Sequence, residues 1–142
     1  MRAFFGLATA LLMVAPAAAE IVVHRDPGCG CCEKWARQVQ AQFKDKVRIV
    51  NDAKRAALQK HHHIPADLGS CHTAVIDGYA FEGHVPIADM KRLLAQRPKG
   101  VKGLAVAGMP MGSPGMEVSG MKPQRYEVIA FGPGGRKVFA RH

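Results

Sequence analysis

An α/β sandwich with one compact core and a loop-rich extension toward the C-terminus is the fold class this sequence predicts. Three observations carry it: β-branched runs alternate with helix-period segments over residues 21–97, Asp77-Gly78 stands between two such runs, and glycine and proline crowd the stretch that follows.

Ile21-Val22-Val23-His24 reads as the first strand, stopped by Asp26-Pro27-Gly28. Trp35, Val39 and Phe43 recur at spacings of four and give the segment Cys32–Phe43 one apolar helical face. Val47–Val50 is the second strand. Asp52 is placed to cap a helix through Ala53, Ala56, Ala57 and Leu58 to about His62, which the Ile64-Pro65 step stops. Thr73–Ile76 and Tyr79–Glu82 flank Asp77-Gly78 as a hairpin. Pro86 suits the first turn of a further helix, on which Ile87, Met90, Leu93 and Leu94 share a face before Pro98. Residues 98–125 form a Gly/Pro/Met-rich loop in which little can be helical. Tyr126–Phe131 and Lys137–Ala140, joined through Pro133-Gly134-Gly135, make a last hairpin.

The N-terminus is of another kind. Arg2 precedes an apolar run, Ala3–Ala15, broken only by Gly6 and Thr9, and Pro16-Ala17-Ala18-Ala19 follows. A basic start, a short apolar core and small residues at the cut site predict a secretory signal peptide over 1–19, cleaved after Ala19 and leaving a domain of 20–142. The run is too short to span a bilayer, which takes about 20 apolar residues. It lacks the polar face that an amphipathic helix would show. No second membrane segment follows it.

The 142 residues carry 20 Lys+Arg against 11 Asp+Glu, a net charge of +9. Such a charge raises the question of nucleic acid. Export argues against it, and so does the scatter of the basic residues (Lys44, Lys46, Lys54, Arg55, Lys91, Arg92, Arg97, Lys99, Lys102, Arg136, Lys137) without interleaved aromatics. A solvated basic surface is the expectation, with no nucleic-acid partner.

Four cysteines hold the chemistry. Cys29-Gly30-Cys31-Cys32 lies where the first strand meets the first helix, and Cys71 immediately precedes the third strand. Free N–H groups and the dipole of a helix N-terminus stabilise thiolates and lower their pKa. Three readings compete. Two structural disulfides suit an oxidising compartment, but Cys31 and Cys32 have Cα atoms only about 3.8 Å apart, below the usual disulfide range. A tidy scheme would then join one of the cluster to Cys71 and pair the other two, Cys29 with Cys32 foremost. Alternatively, Cys29-x-x-Cys32 is the spacing used in thiol–disulfide exchange. Thirdly, thiolates select soft metals, and adjacent cysteines bridge several Cu(I) ions more readily than they chelate one zinc.

Methionine and histidine placement bears on the choice. Met109, Met111, Met116 and Met121 fall within thirteen residues of Gly/Pro-rich loop, where no helix or strand face can align them for core packing. Thioethers there suit Cu(I); a loop that docks a partner is the other reading. His72 adjoins Cys71 and shares its location, and His84 can reach the same region or serve as a hydrogen-bonded loop histidine. His61-His62-His63 point in different directions on a helix, so they cannot all serve one ion. His24 reads as structural.

The combination Pro27-Gly28-Cys29-Gly30-Cys31-Cys32 with Trp35, Ser70-Cys71-His72-Thr73-Ala74, Gly78-Tyr79, Glu82-Gly83-His84-Val85-Pro86, Gly103-Leu104-Ala105-Val106 and Gly108-Met109-Pro110 through Gly115-Met116-Glu117 resembles the CopG-like copper-resistance family. The resemblance spans residues 20–142. It implies a thioredoxin-like three-layer sandwich, a periplasmic location among copper-handling proteins, and a polynuclear copper centre bridged by Cys29, Cys31, Cys32 and Cys71 with a redox role. His72 stands where thioredoxin-like enzymes usually carry a cis-proline, which argues against ordinary thioredoxin substrate binding. His24 and His61–His63 are not part of the family pattern. The expected function is therefore a periplasmic protein holding several Cu(I) ions, with His72, His84, Met109, Met111 and Met116 completing or gating the site. The alternatives are a thiol–disulfide oxidoreductase using Cys29 and Cys32, and a passive copper chaperone.

Overall fold

The computed structural model describes residues 20–142; the expected signal peptide lies outside them. The elements run β1 (Ile21–Arg25), α1 (Gly30–Phe43), β2 (Val47–Asn51), α2 (Arg55–His61), a 3-10 turn (Ala66–Leu68), β3 (His72–Ile76), β4 (Tyr79–Glu82), α3 (Ile87–Gln96), β5 (Gly103–Ala105), β6 (Glu127–Gly132) and β7 (Gly135–Arg141). One mixed sheet holds all seven strands in the order β2-β1-β3-β4-β5-β6-β7. β1 runs parallel to β2, β3 is antiparallel to β1 and β4, β4 is parallel to β5, and β5, β6 and β7 alternate in direction.

Strand alternation divides the core between the two faces of the sheet. Val23, Phe81, Leu104, Val128 and Ala130 pack with Trp35 and Val39 of α1 and Met90 and Leu93 of α3. Their neighbours Ala80, Ala105 and Phe131 point the other way and pack with Ile64 and Leu68 around the 3-10 turn. The predicted α1, α3, the Asp77-Gly78 hairpin and the last hairpin all form, and the α/β class holds, but the one core expected is two clusters, one on each face of the sheet. No helix among the described residues is long and apolar enough to cross a membrane.

Three further expectations change. The loop after α3 contributes a strand, β5, in the sheet interior, where Gly103 is needed because a Cβ there would lie 2.0 Å from the Ala80 carbonyl oxygen. This strand joins the terminal hairpin to the same sheet. Asp52 does not cap α2, which starts at Arg55: its Oδ1 accepts the Lys54 N–H at 2.9 Å while Oδ2 faces His24 Nδ1 at 3.0 Å. Arg55 is buried rather than part of a solvated basic surface.

Candidate metal centre

Sheet register brings the site together. Arg25, at the end of β1, lies opposite His72, at the start of the antiparallel β3, so the Cys29–Cys32 turn and Cys71 meet at one edge of the sheet. The Asp26 N–H donates to the Cys71 carbonyl at 2.9 Å and fixes that juxtaposition. β4 returns antiparallel with Thr73 opposite Glu82, so His84, two residues past the strand end, comes back beside Cys71. The Gly83 N–H closes the corner on the His72 carbonyl at 2.8 Å.

Cys29 occupies the N-cap position of α1 without a side-chain capping bond, and Cys31 and Cys32 lie in its first turn. Cys29 and Cys32 are disulfide-bonded, with Cα atoms 5.4 Å apart. Cys31 and Cys71 are free. Cys31 Sγ lies 3.3 Å from Cys29 Sγ, and Cys32 Sγ 3.3 Å from Cys71 Sγ. All four sulfurs fall within 4.8 Å of one another, and so do the donor atoms of Cys71, His72 and His84. The cysteine set predicted from the sequence is therefore one cluster, with both expected histidines against its buried side.

Those histidines are well defined. His84 Nε2 is 3.2 Å from Cys71 Sγ, while its Nδ1–H donates to the Pro114 carbonyl at 2.8 Å. That bond leaves the Nε2 lone pair facing the sulfur, the arrangement that orients metal-binding imidazoles. His72 Nδ1 is 3.5 Å from Cys71 Sγ, and its ring lies 4.4 Å from the Trp35 ring, centroid to centroid. Its Nε2 is buried with no hydrogen-bond partner among the described residues. Burial holds both imidazoles neutral, His72 well below the usual histidine range and His84 also below it. Burial pushes the Cys71 thiol up to about 11. The thiolate stabilisation expected at a helix N-terminus does not reach this cysteine, which sits at a strand end.

The methionine loop docks on α1 through Gln38 Nε2, which donates to Glu117 Oε1 at 2.9 Å, and on His84 through Pro114. Met109 is 53% exposed, and its Sδ stands 4.0 Å from Cys31 Sγ at the outer lip of the cluster. Met111 and Met116 shape the loop through backbone bonds, the Met111 N–H to Gln124 Oε1 and the Met116 N–H to the Ser113 carbonyl, both at 2.8 Å. His24 pairs with Asp52, and His61 and His63 are exposed at the end of α2. None of these three belongs to the clustered donors.

A buried polar network behind Cys71 had no sequence reading. The Arg55 guanidinium donates to Asp26 Oδ1 at 3.0 Å, to the Ser70 carbonyl at 2.5 Å and to Glu82 Oε1 at 3.0 Å. Glu82 Oε1 also accepts from Gln59 and from the Ser70 N–H, both at 2.7 Å, and Oε2 accepts from the Thr73 hydroxyl at 2.5 Å. Burial raises the Glu82 pKa against those donors. One arginine thus ties together the segments carrying Cys29–Cys32, Cys71-His72 and His84. The available signal was a carboxylate directly after the apolar Tyr79-Ala80-Phe81.

A family model described as "Protein of unknown function, DUF411" matches residues 68–116, which include Cys71, His72, His84, Met109, Met111 and Met116 but not Cys29–Cys32. No curated protein matches the chain. Two solved structures do. "Copper resistance protein copG- Form 1" superposes with a TM-score of 0.80 at 40% identity, covering 89% of this chain and 98% of that one. "Copper resistance protein copG- Form 2" superposes with a TM-score of 0.78 at 41% identity, covering 87% and 97%. With that identity over nearly the full length of both, the chain belongs to the CopG-like family of copper resistance proteins.

Proposed function

We propose that this is a periplasmic copper-resistance protein that holds more than one Cu(I) ion in a thiolate-bridged site made of Cys29, Cys31, Cys32 and Cys71. The observation that carries the reading is the convergence of four sulfurs within 4.8 Å. Such a donor set is soft, and adjacent Cys31 and Cys32 suit bridging between ions. Two-electron reduction of the Cys29–Cys32 disulfide by an external dithiol supplies two of the four thiolates. His72 and His84 close the buried side, and Met109, with Met111 and Met116 behind it in the loop, gates the exposed side. A thioredoxin-like reading of the first four strands is supported by their order β2-β1-β3-β4 with β3 reversed.

Anaerobic titration of the fully reduced protein with Cu(I) against a competing chelator tests the proposal. Tight uptake of more than one copper per chain is the expected result, and Cys31→Ser lowers that number while leaving the fold intact. A single weakly held ion, or full stoichiometry in Cys31→Ser, defeats it. The second reading is a thiol–disulfide oxidoreductase, favoured by the bridged Cys29–Cys32 pair at the start of α1. It requires turnover of a disulfide substrate that survives loss of Cys31 and Cys71.

A further inference from the structure

With Cys29 and Cys32 bridged, two of the four sulfurs are no longer thiolate donors, and the soft site is dismantled. What remains on the buried side is a different donor set. Cys71 Sγ stands 3.5 Å from His72 Nδ1 and 3.2 Å from His84 Nε2, and the three atoms lie within 4.8 Å of one another. Zinc bonds to sulfur and to imidazole nitrogen are about 2.3 and 2.0 Å long, so a tetrahedral ion holds such donors roughly 3.5 Å apart. The two sulfur–nitrogen separations therefore match those of ligands around one ion.

One further feature points to a ligand. The His84 N–H to the Pro114 carbonyl fixes that ring with Nε2 turned to the sulfur. His72 is fully buried with Nδ1 on the same sulfur, so both rings present a nitrogen there. A ring that ligates through Nδ1 keeps its proton on Nε2, which has no partner among the described residues.

We propose that the disulfide form of this chain carries a mononuclear site, Cys71 Sγ, His72 Nδ1 and His84 Nε2, for one divalent ion of borderline softness such as zinc(II). Three protein ligands with a fourth position left to water is an arrangement that zinc accepts. The inference stands apart from the Cu(I) reading, because it concerns the form in which Cys29 and Cys32 are closed to metal. One chain then offers a soft polynuclear site when reduced and a harder mononuclear one when bridged, with Cys71 common to both.

Cobalt(II) is the probe. Protein with the Cys29–Cys32 bridge formed, verified by a count of two free thiols and by peptide mapping of the bridged pair, is titrated anaerobically with Co(II) and then with Zn(II). One Co(II) per chain, with the intense visible bands of a tetrahedral ion and a sulfur-to-cobalt charge-transfer band, is the expected result, and Zn(II) displaces it. Cys71→Ser removes the charge-transfer band, and His84→Ala weakens binding by more than about 100-fold, beyond what loss of an outer partner costs. A weak octahedral spectrum, or no binding, overturns the proposal on the unsubstituted protein alone, whatever the variants do to folding. A charge-transfer band that survives in folded Cys71→Ser overturns it as well, since the sulfur would then be Cys31.

Discussion

Replacing Arg55 by methionine isolates the largest electrostatic stake in the fold. The change keeps most of the apolar stem and removes every donor the guanidinium makes. Asp26 is half exposed and loses little. Glu82 is completely buried and loses its only cationic partner among the described ion pairs. Breaking a buried pair from one side costs about 3–5 kcal/mol, which for a domain of this size lowers Tm by roughly 10–20 °C. The pH dependence identifies the cause. Glu82 already has a folded pKa raised above its ordinary 4.5, and removing Arg55 raises it further. A carboxyl raised in this sense contributes stability that is fully present below the unfolded value and is lost as pH rises through the folded one. The deficit of Arg55→Met relative to the unsubstituted protein is therefore small below pH 4.5 and grows toward neutrality. Denaturant unfolding at a series of pH values measures it, and adding Glu82→Gln recovers part of the loss at neutral pH. Arg55→Lys keeps a charge but not the fork that reaches Asp26, Ser70 and Glu82 at once, and it falls between. A neutral-pH loss under about 1 kcal/mol, or one that does not shrink in acid, would refute the reasoning.

Three more outcomes follow from particular atoms. In the proposed site Cu(I) displaces the Cys71 proton, which burial holds on the sulfur up to about pH 11, so the competition constant rises with pH, by about tenfold per unit for each proton released; parallel titrations at neutral and mildly acid pH read the slope, and a flat profile excludes Cys71 as a ligand. Gly83→Ala puts a Cβ 2.5 Å from the Val106 carbonyl oxygen and 2.7 Å from Ser70 Cβ at a φ of +72°, and costs about 2–4 kcal/mol by thermal melting. Gly134→Ala, with nothing within 4 Å of the added carbon, is the control and stays within about 0.5 kcal/mol. Trp35→Phe leaves the buried Val85 carbonyl without its 3.0 Å donor and lowers stability by about 1–3 kcal/mol, again by melting.

What the sequence made legible was mostly what periodicity and turn chemistry encode. Trp35, Val39 and Phe43 located α1, and Asp77-Gly78 located the β3–β4 hairpin to the residue. The cysteine set was legible because three thiols in four residues have few structural uses. β5 was not, since three residues beginning with glycine carry no alternation to read, and its place in the sheet comes from pairing on both sides. Arg55 was read as surface for a related reason. Its helix offers no apolar stripe, and burial there depends on Asp26, Ser70 and Glu82, which lie 12 to 29 positions apart from their partners and meet only through sheet register. Long-range polar satisfaction leaves almost no local trace.

The protonation of its donors suits the inner wall of the pocket to burial. Cys71 keeps its proton and both histidines are neutral, so the inner wall carries no net charge. A buried thiolate with no counter-charge would instead cost several kcal/mol. When a cation binds to the sulfur it takes the place of a proton, and the charge inside rises only by what the ion carries beyond the protons it expels. For Cu(I) and one thiol that difference is zero. A pocket of neutral, soft, pre-aligned donors therefore favours a monovalent soft ion on electrostatic grounds. A divalent ion at Cys71, His72 and His84 leaves one positive charge buried, so the same pocket should hold it less tightly unless the fourth position takes an anion. Repeating the cobalt titration with added chloride or thiocyanate measures that difference directly: tighter binding with the anion supports the accounting, and indifference to it means that a charge already present in the fold supplies the balance.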